Sequence, residues 1–174
     1  MASAGSTVSE AMPENALRAD VLACLARVPD PEIPIVSIVD LGIVHDVRIG
    51  DGGLQVDLLP TYTACPATEV IERDVQRALS DAGFGEVAVR RCLAPAWTTD
   101  LITAEGRDKL AAFGIAPPAR LSQVARNAAS DRPAACPQCG SANTIKVSEF
   151  GSTPCKSAWR CSDCREPFDY FKCL

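Results

Sequence analysis

Residues 54–79, LQVDLLPTYTACPATEVIERDVQRAL, change from a two-residue repeat to a helical repeat within one short stretch. Up to Leu58, apolar residues alternate with polar ones, which predicts a β-strand. Apolar residues then recur at helical spacing, which predicts a helix over 66–82. Cys65 therefore stands at a strand-to-helix turn. If Pro66 is the first helical residue, Cys65 lies near the N-cap, where free backbone N–H groups favour a thiolate.

The same two patterns extend to both sides of this stretch. Helical spacing predicts a first helix over 14–28 and a short one over about 103–113, whereas alternation predicts strands over 43–49 and 86–93. The glycine-rich turn at 50–53 joins the first two strands into a hairpin. The order α-β-β-α-β-(α) predicts an α+β fold, a small sandwich of one sheet and one helical layer.

Composition divides the 174 residues into four parts. Residues 1–13 are small and polar, which predicts a disordered tail. Residues 14–116 form the α+β domain, and 117–133 have the small residues and prolines of a linker. Residues 134–174 form a separate cysteine-rich module, and they have too little apolar content to fold without a metal ion.

The overall charge and hydropathy exclude several classes of protein. A formal net charge of −5 and a pI near 4.9 argue against a nucleic-acid surface. No apolar run reaches the length needed to cross a bilayer, and the first residues lack the features of a secretory signal. We therefore expect a cytoplasmic protein that binds neither nucleic acid nor membrane. Cytoplasmic thiols stay mostly reduced, so the nine cysteines indicate metal ligands rather than a disulfide framework.

Four of these cysteines form two C-x2-C knuckles, CPQCG and CSDCR. The spacing of Cys136, Cys139, Cys161 and Cys164 predicts a four-cysteine zinc ribbon, in which two tight turns close a tetrahedron around one ion. Zinc is favoured over iron, although a rubredoxin-like iron site has the same ligands. Four thiolates leave no open coordination position, so the predicted site is structural.

The remaining cysteines have less definite environments. Cys155 and Cys173 lie in the module outside the knuckles, and they fit a second metal pair, a redox pair or ordinary buried thiols, the last being favoured. Cys24 falls on the inward face of the first helix. Cys92 ends the third strand and lies near Cys65 if that strand pairs beside the second.

Signals of catalysis are missing from the sequence. His45 is the only histidine, and it shares a predicted strand face with Ile43 and Val47, which favours a packed or rim position. Asp40, like the acidic residues of DPEIP, is more typical of loop capping than of a metal site. We assign no catalytic residue, since no Cys–His pair, serine triad or phosphate-binding loop is evident. Whether the chain is an enzyme stays open.

Three motifs in order, DPEIPIVSIVDLGIV, PTYTACPATEV and PAWTTDLITAEGRDKL, resemble the SufT-type iron–sulfur assembly domain over roughly residues 14–115. The added cysteine-rich module, which ends EPFDYFKCL, resembles the PaaD (also called PaaJ) branch of that family. That branch is associated with the multicomponent phenylacetyl-CoA epoxidase, which epoxidises the aromatic ring in bacterial phenylacetate degradation. The resemblance implies the same small α+β fold.

The resemblance also implies a site. The acidic residues of the family's Asp-Pro-Glu motif fall on Asp30 and Glu32, and its reactive cysteine, in a Thr-x-x-x-Cys-Pro setting, falls on Cys65 with Thr61. Cys65 would then bind iron or a cluster transiently, with the other three in support. The implied clients are the epoxidase's reductase, which carries a plant-type cluster and flavin, and its di-iron oxygenase. The chain lacks the di-iron Glu-x-x-His pairs and the dinucleotide fingerprint, so it is neither of those subunits.

Three functions stay open at this point. The first is a maturation factor in which Cys65 is half of a site. Because one thiolate cannot hold a cluster, a second protomer or a client thiol would complete that site, and we expect at least a transient dimer or complex. The second is a permanent structural or regulatory subunit that carries only zinc. The third is a redox protein that uses Cys155 and Cys173.

Overall fold

The computed structural model describes residues 14–50, 53–63, 65–118, 133 and 135–172. The predicted tail and most of the predicted linker fall outside this part of the chain. The predicted order α-β-β-α-β-(α) is confirmed and is followed by further strands. The elements are α1 (Glu14–Leu25), β1 (Val44–Gly50), β2 (Gly53–Leu58), α2 (Thr68–Asp81), β3 (Val87–Arg91), a 3-10 turn (Thr99–Leu101), α3 (Ala104–Ala112), β4 (Ile115–Ala116), β5 (Thr144–Ser148), β6 (Lys156–Cys161) and β7 (Pro167–Phe171).

The first sheet has the order β1-β2-β3. Strands β1 and β2 form an antiparallel hairpin in which Val47 lies opposite Val56. Helix α2 then carries the chain back, so that β3 runs parallel to β2 with Val89 beside Val56. Helix α1 packs on α2 and on β1, and α2 packs on β3. The fully buried side chains between sheet and helices, among them Leu25 and Leu79, form the core that the alternating and helical patterns predict.

The second sheet has the order β4-β7-β6-β5. Strands β5, β6 and β7 form an antiparallel meander that carries the knuckles. The sequence patterns predict no strand at β4 or β7. Strand β4 follows α3 directly, and it pairs in parallel with β7 at Ile115–Asp169 and Ala116–Tyr170. The domain boundaries stay a prediction, but the two regions share a sheet.

The two regions also share a hydrophobic core. Cys155 and Phe171, both from the cysteine-rich module, are buried in the main cluster with the α+β domain. The ring of Phe171 lies 6.1 Å from that of Trp97, and the Trp97 indole N–H donates a 2.9 Å hydrogen bond to the Leu41 carbonyl. The ribbon's own core is small and centres on Trp159, whose ring meets Tyr170 edge-on at 6.1 Å.

No helix in the described part of the chain is long and apolar enough to span a membrane.

Candidate functional site

A cavity of about 20 Å³ lies where the α+β domain meets the cysteine-rich module. This volume is room for about one water molecule or one ion. Aliphatic side chains and Phe171 form much of its wall, and none of the described residues that line it is Lys, Arg or His. Its polar lining consists of Asp30, Glu32, Thr61, Cys65, Thr68 and Cys155. The cavity therefore combines carboxylates, hydroxyls and two thiols without a cationic side chain.

Asp30 shapes the loop between α1 and β1. Its Oδ1 atom accepts hydrogen bonds from the backbone N–H groups of Glu32 at 2.9 Å and Ile33 at 2.8 Å. The pKa of Asp30 is raised, chiefly by burial and also by the neighbouring Glu32 carboxylate, although these two hydrogen bonds and the charge of Lys156 act in the opposite direction. Asp30 thus makes the loop-capping contacts that its position suggests, and these contacts fix the backbone of Glu32.

Cys65 lies in a turn before α2, and the predicted helix start at Pro66 is wrong by two residues. The N-cap is Ala67, without a side-chain cap, and α2 begins at Thr68. The Cys65 N–H donates to the Tyr62 carbonyl at 3.1 Å, and the Thr68 N–H donates to the Cys65 carbonyl at 3.2 Å. Because of these two consecutive turns, α2 begins only at Thr68, and the half-buried Cys65 lies at the cavity.

Cys155 approaches the same cavity from the module. Its Sγ lies 3.5 Å from Oε2 of Glu32 and 3.1 Å from Oγ1 of Thr153. Burial raises the pKa of Cys155 to about 12, and the Glu32 carboxylate contributes to the rise. The pKa of Tyr62 is likewise raised to about 12. Burial is the largest cause, and the negative charges that Cys65, Glu32 and Cys155 carry when ionised are further causes. The pKa values of Cys155 and Tyr62 are therefore both raised in part by the charge of Glu32.

The family resemblance places Asp30, Glu32, Thr61 and Cys65 in one predicted site, and all four line the cavity. Cys155 is a buried thiol, which was the favoured interpretation, and it also lines this cavity, which the sequence did not indicate. The one available signal was that Cys155 stands outside both knuckles. Cys173, the other leftover cysteine, lies outside the described residues.

Other candidate residues lie elsewhere. Cys24 is buried as predicted, and its Sγ lies 3.4 Å from the Ala78 carbonyl. Strand β3 does pair beside β2, but Cys92 lines a neighbouring groove with Trp97 and does not line the cavity of Cys65. His45 is exposed, so its predicted place on one strand face with the buried Ile43 and Val47 is wrong, because a bulge between Val44 and Asp46 shifts the register.

Asp40 stabilises the loop before β1. Its Oδ2 accepts hydrogen bonds from the Ser37 backbone N–H at 2.8 Å and from Lys109 Nζ at 2.9 Å. The capping role expected from its position is therefore what the contacts show. Asp40 does not line the cavity.

The four knuckle cysteines converge in one cluster. Their Sγ atoms all lie within 4.8 Å of one another, with Cys136–Cys164 at 3.8 Å and Cys139–Cys161 at 3.6 Å. A tetrahedral site with Zn–S bonds of about 2.3 Å requires Sγ atoms about 3.8 Å apart, so the four thiols fit a zinc ion.

Backbone groups around the knuckles suit thiolate ligands. The N–H of Gly140, which has φ of 76°, donates to the Cys136 carbonyl at 2.9 Å and closes the first turn. Hydrogen bonds from the backbone N–H groups of Cys164 and Asp163 lower the pKa of Cys161 to about 7. Such N–H···S contacts orient the ligands of a metal centre and favour their charged form.

Comparison with known proteins agrees with this two-part architecture. Residues 18–90 match the family described as iron–sulfur cluster assembly protein, and residues 121–172 match the PaaD zinc beta ribbon domain. The chain is 46% identical over 155 residues to a protein of Escherichia coli strain K12 that is named as a putative 1,2-phenylacetyl-CoA epoxidase subunit, an alignment that covers 89% of this chain and 92% of that protein. The chain belongs to the PaaD family.

The α+β part of this PaaD-family chain has relatives of its own kind. The chain is 35% identical over 89 residues to the Fe-S protein maturation auxiliary factor YitW of Bacillus subtilis strain 168. This alignment covers 50% of this chain and 86% of that protein. It is 34% identical over 88 residues to an Fe-S protein maturation auxiliary factor of Porphyromonas gingivalis, and this alignment covers 49% of this chain and 83% of that protein.

A solved structure shares the fold. The domain of unknown function DUF59 from Bacillus anthracis has a TM-score of 0.52 and 28% sequence identity, and the match covers 55% of this chain and 92% of that one. The PaaD family thus joins a fold of the DUF59 type to a cysteine-rich ribbon, which was the architecture predicted from the sequence.

Proposed function

We propose that this PaaD-family chain is an accessory maturation factor of the phenylacetyl-CoA epoxidase. It would assist iron–sulfur cluster or metal assembly on the reductase or the oxygenase of that enzyme. The observation that carries the proposal is the 46% identity to the Escherichia coli epoxidase protein over most of both chains. The similarity of its α+β part to two Fe-S maturation factors supports the same role.

The cavity supplies the chemistry that such a role needs. Cys65 is the ligand that would receive iron or a cluster as cargo, because it is half-buried at the cavity. Glu32 offers a carboxylate, and Asp30 holds the Glu32 loop by two backbone hydrogen bonds. The Thr61 hydroxyl is a further polar group on the wall. A soft thiolate next to a carboxylate is a donor set that suits ferrous iron.

The four knuckle thiols have a separate role in this proposal. They would hold a structural zinc ion, since all four coordination positions are filled by protein and none is left for a substrate. The zinc ion would stabilise the ribbon, and the ribbon in turn positions β7 and Cys155 against the α+β domain.

The proposal is tested in cells that degrade phenylacetate. A strain carrying Cys65→Ala should yield an epoxidase reductase with reduced iron and acid-labile sulfide, while the variant itself remains folded with its zinc. A strain carrying Cys92→Ala is the matched control, because Cys92 lines a different groove. Unchanged cluster content in the reductase and unchanged metal in the oxygenase from the Cys65→Ala strain would exclude the role.

A permanent subunit that carries only zinc is the second candidate. It is favoured by one observation, that the Escherichia coli relative is named as one of the epoxidase's subunits. It predicts stoichiometric co-purification with the oxygenase and unimpaired growth on phenylacetate for Cys65→Ala, but not for Cys161→Ser. Weak, substoichiometric association would instead favour the maturation factor.

A further inference from the structure

One carboxylate of the ribbon joins the two cysteine knuckles without being one of the four ligands. Asp163 lies between the two cysteines of the second knuckle, Cys161 and Cys164. Its Oδ2 accepts a hydrogen bond from the hydroxyl of Ser141, and its Oδ1 accepts one from the side-chain amide of Asn143 at 3.0 Å. Because Ser141 and Asn143 follow the first knuckle along the chain, this carboxylate links the two knuckles.

Backbone hydrogen bonds fix the position of this link on both sides. The Ser141 hydroxyl also accepts a 3.0 Å hydrogen bond from the backbone N–H of Asn143. The Ser141 carbonyl accepts one from the N–H of Cys136 at 2.7 Å, and the Asn143 carbonyl accepts one from the N–H of Ser162 at 2.8 Å. We call the three linked side chains, those of Ser141, Asn143 and Asp163, the cross-brace.

The cross-brace lies next to two of the ligand sulfur atoms. The backbone N–H of Ser141 donates to the Sγ of Cys139, and the backbone N–H of Asp163 donates to the Sγ of Cys161. Cys139 and Cys161 belong to different knuckles, and their Sγ atoms lie 3.6 Å apart. The hydrogen bond between the Ser141 and Asp163 side chains thus joins the two residues whose N–H groups orient this pair of ligands.

The second knuckle depends on such contacts more than the first does. Gly140 follows the first knuckle with a φ of 76°, whereas Arg165 follows the second with a φ of 67°. A residue with a Cβ atom is less stable in this left-handed conformation than glycine, so contacts elsewhere must hold the turn. Two turns that are held in place before zinc arrives bind it more tightly, because less ordering is left to occur on binding.

We infer that Asp163 is a positioning residue of the zinc site, which acts through Ser141 and Asn143 to hold the two knuckles in the geometry of four-thiolate coordination. Asp163 does not bind the ion, because the four thiols already fill the tetrahedron. This inference rests on the part of the proposed function in which the knuckle thiols hold a structural zinc ion. It does not depend on the role of Cys65.

The test measures the zinc Kd of the full-length chain by competition with a chromophoric chelator, at one pH and with a reductant present. Asp163→Asn should raise the Kd by about tenfold or more, as the loss of an outer-shell partner does, because an NH2 group replaces one of the two accepting oxygens. Ser141→Ala should raise the Kd as well, although it changes no charge. Ser141→Thr, which keeps the hydroxyl, should stay within about twofold of the wild type.

A double variant and a matched control make the assignment specific. When Asp163→Asn and Ser141→Ala are combined, the Kd should match that of the weaker-binding single variant within about twofold, because both remove the same bond. Ser152→Ala is the control, since Ser152 donates a comparable 2.9 Å hydrogen bond to Asp169 outside both knuckles. It should leave the Kd within about twofold of the wild type. If circular dichroism shows that Asp163→Asn does not fold with zinc, the two Ser141 variants decide the outcome.

The outcomes separate this inference from the proposed function. The inference is wrong if only one of Asp163→Asn and Ser141→Ala raises the Kd, if neither does, or if Ser152→Ala raises it equally. Effects that multiply in the double variant would also contradict a shared bond. None of these results bears on the maturation role, which the cluster content of the reductase decides. A wild-type chain that binds no zinc would refute this inference and the structural zinc site together, and it would leave the role of Cys65 to the experiment in cells.

Discussion

The Sγ of Cys155 lies 3.5 Å from Oε2 of Glu32, although 123 residues separate the two along the chain. This contact joins the ribbon to the loop that carries the family's acidic motif. The ring of Phe171 against Trp97 and the pairing of β4 with β7 join the same two regions at further points. The ribbon is therefore part of the wall of the candidate site.

Removal of zinc should destabilise the whole chain. Zinc present at 100 times its Kd contributes about 2.7 kcal/mol through mass action, which corresponds to about 5–10 °C in Tm for a chain of this size. We expect Cys161→Ser, or treatment with a chelator, to lower Tm by at least this amount, measured by circular dichroism with zinc quantified in parallel. Cys92→Ser is the matched control. An unchanged Tm after complete loss of zinc would contradict a structural role for the ion.

Phe171 should contribute strongly to stability because it belongs to the core of both regions. Its side chain is 1% exposed, and truncation of such a phenylalanine costs about 3–5 kcal/mol. We expect Phe171→Ala to lower the free energy of unfolding by this amount in urea denaturation. Phe113→Ala, whose side chain is 62% exposed, should change it by less than about 0.5 kcal/mol. Equal effects of the two substitutions would show that the ribbon packs independently.

Gly106 should resist replacement by alanine even though it lies in a helix. A Cβ atom at Gly106 would lie 2.7 Å from the backbone oxygen of Asp40. Alanine gains up to about 1 kcal/mol of helix propensity, but overpacking against backbone costs about 1–3 kcal/mol. We expect a net loss in the free energy of unfolding, measured with urea. Gly50→Ala, where nothing lies within 4 Å of the new atom, is the control. Stabilisation by Gly106→Ala would mean that α3 moves away from the loop.

Asp40 should make stability depend on pH in the acidic range. Burial raises the pKa of Asp40, but hydrogen bonds from Ser37 and Lys109 lower it by more, so the net pKa is below the ordinary 3.8. A carboxyl with a lowered folded-state pKa stabilises the fold above the unfolded value, and this contribution is lost as pH falls through the folded value.

We therefore expect the free energy of unfolding of the wild type to fall more steeply than that of Asp40→Asn between about pH 5 and about pH 3. Urea denaturation at a series of pH values measures this difference. The comparison cancels the acid lability of the zinc ligands, which both proteins share. Parallel curves would show that the Asp40 contacts contribute nothing that depends on its charge.

The local elements of the α+β domain could be predicted because each follows a sequence pattern. Val56 and Leu58 alternate with polar residues, and Val75 and Leu79 lie one helical turn apart, so periodicity alone predicts β2 and α2. The knuckle ligands could be predicted for a different reason, since two C-x2-C pairs constrain the metal geometry directly. The predicted start of α2 at Pro66 is wrong. Proline is common at a first helical position, whereas here Pro66 lies in the turn that precedes the helix.

The second thiol of the candidate site could not be predicted. Strand β4 is two residues long and is too short to show any periodicity, so its pairing with β7 left no signal in the sequence. Without that pairing, nothing indicates that the loop bearing Cys155 packs on the turn bearing Cys65. Long-range packing of two loops depends on the whole fold, and a single sequence carries little information about it.

The pairing of β4 with β7 has a consequence for how the polypeptide behaves when it is cut. Strand β4 precedes residues 119–132 and β7 follows them, so a backbone break within that segment leaves the pairing intact. The contacts of Phe171 and Cys155 with the α+β domain lie outside the segment as well. A nicked chain should therefore migrate as one species on a native gel and separate into two fragments in denaturant. The two fragments, expressed from separate genes, would constitute a split protein that reassembles by complementation.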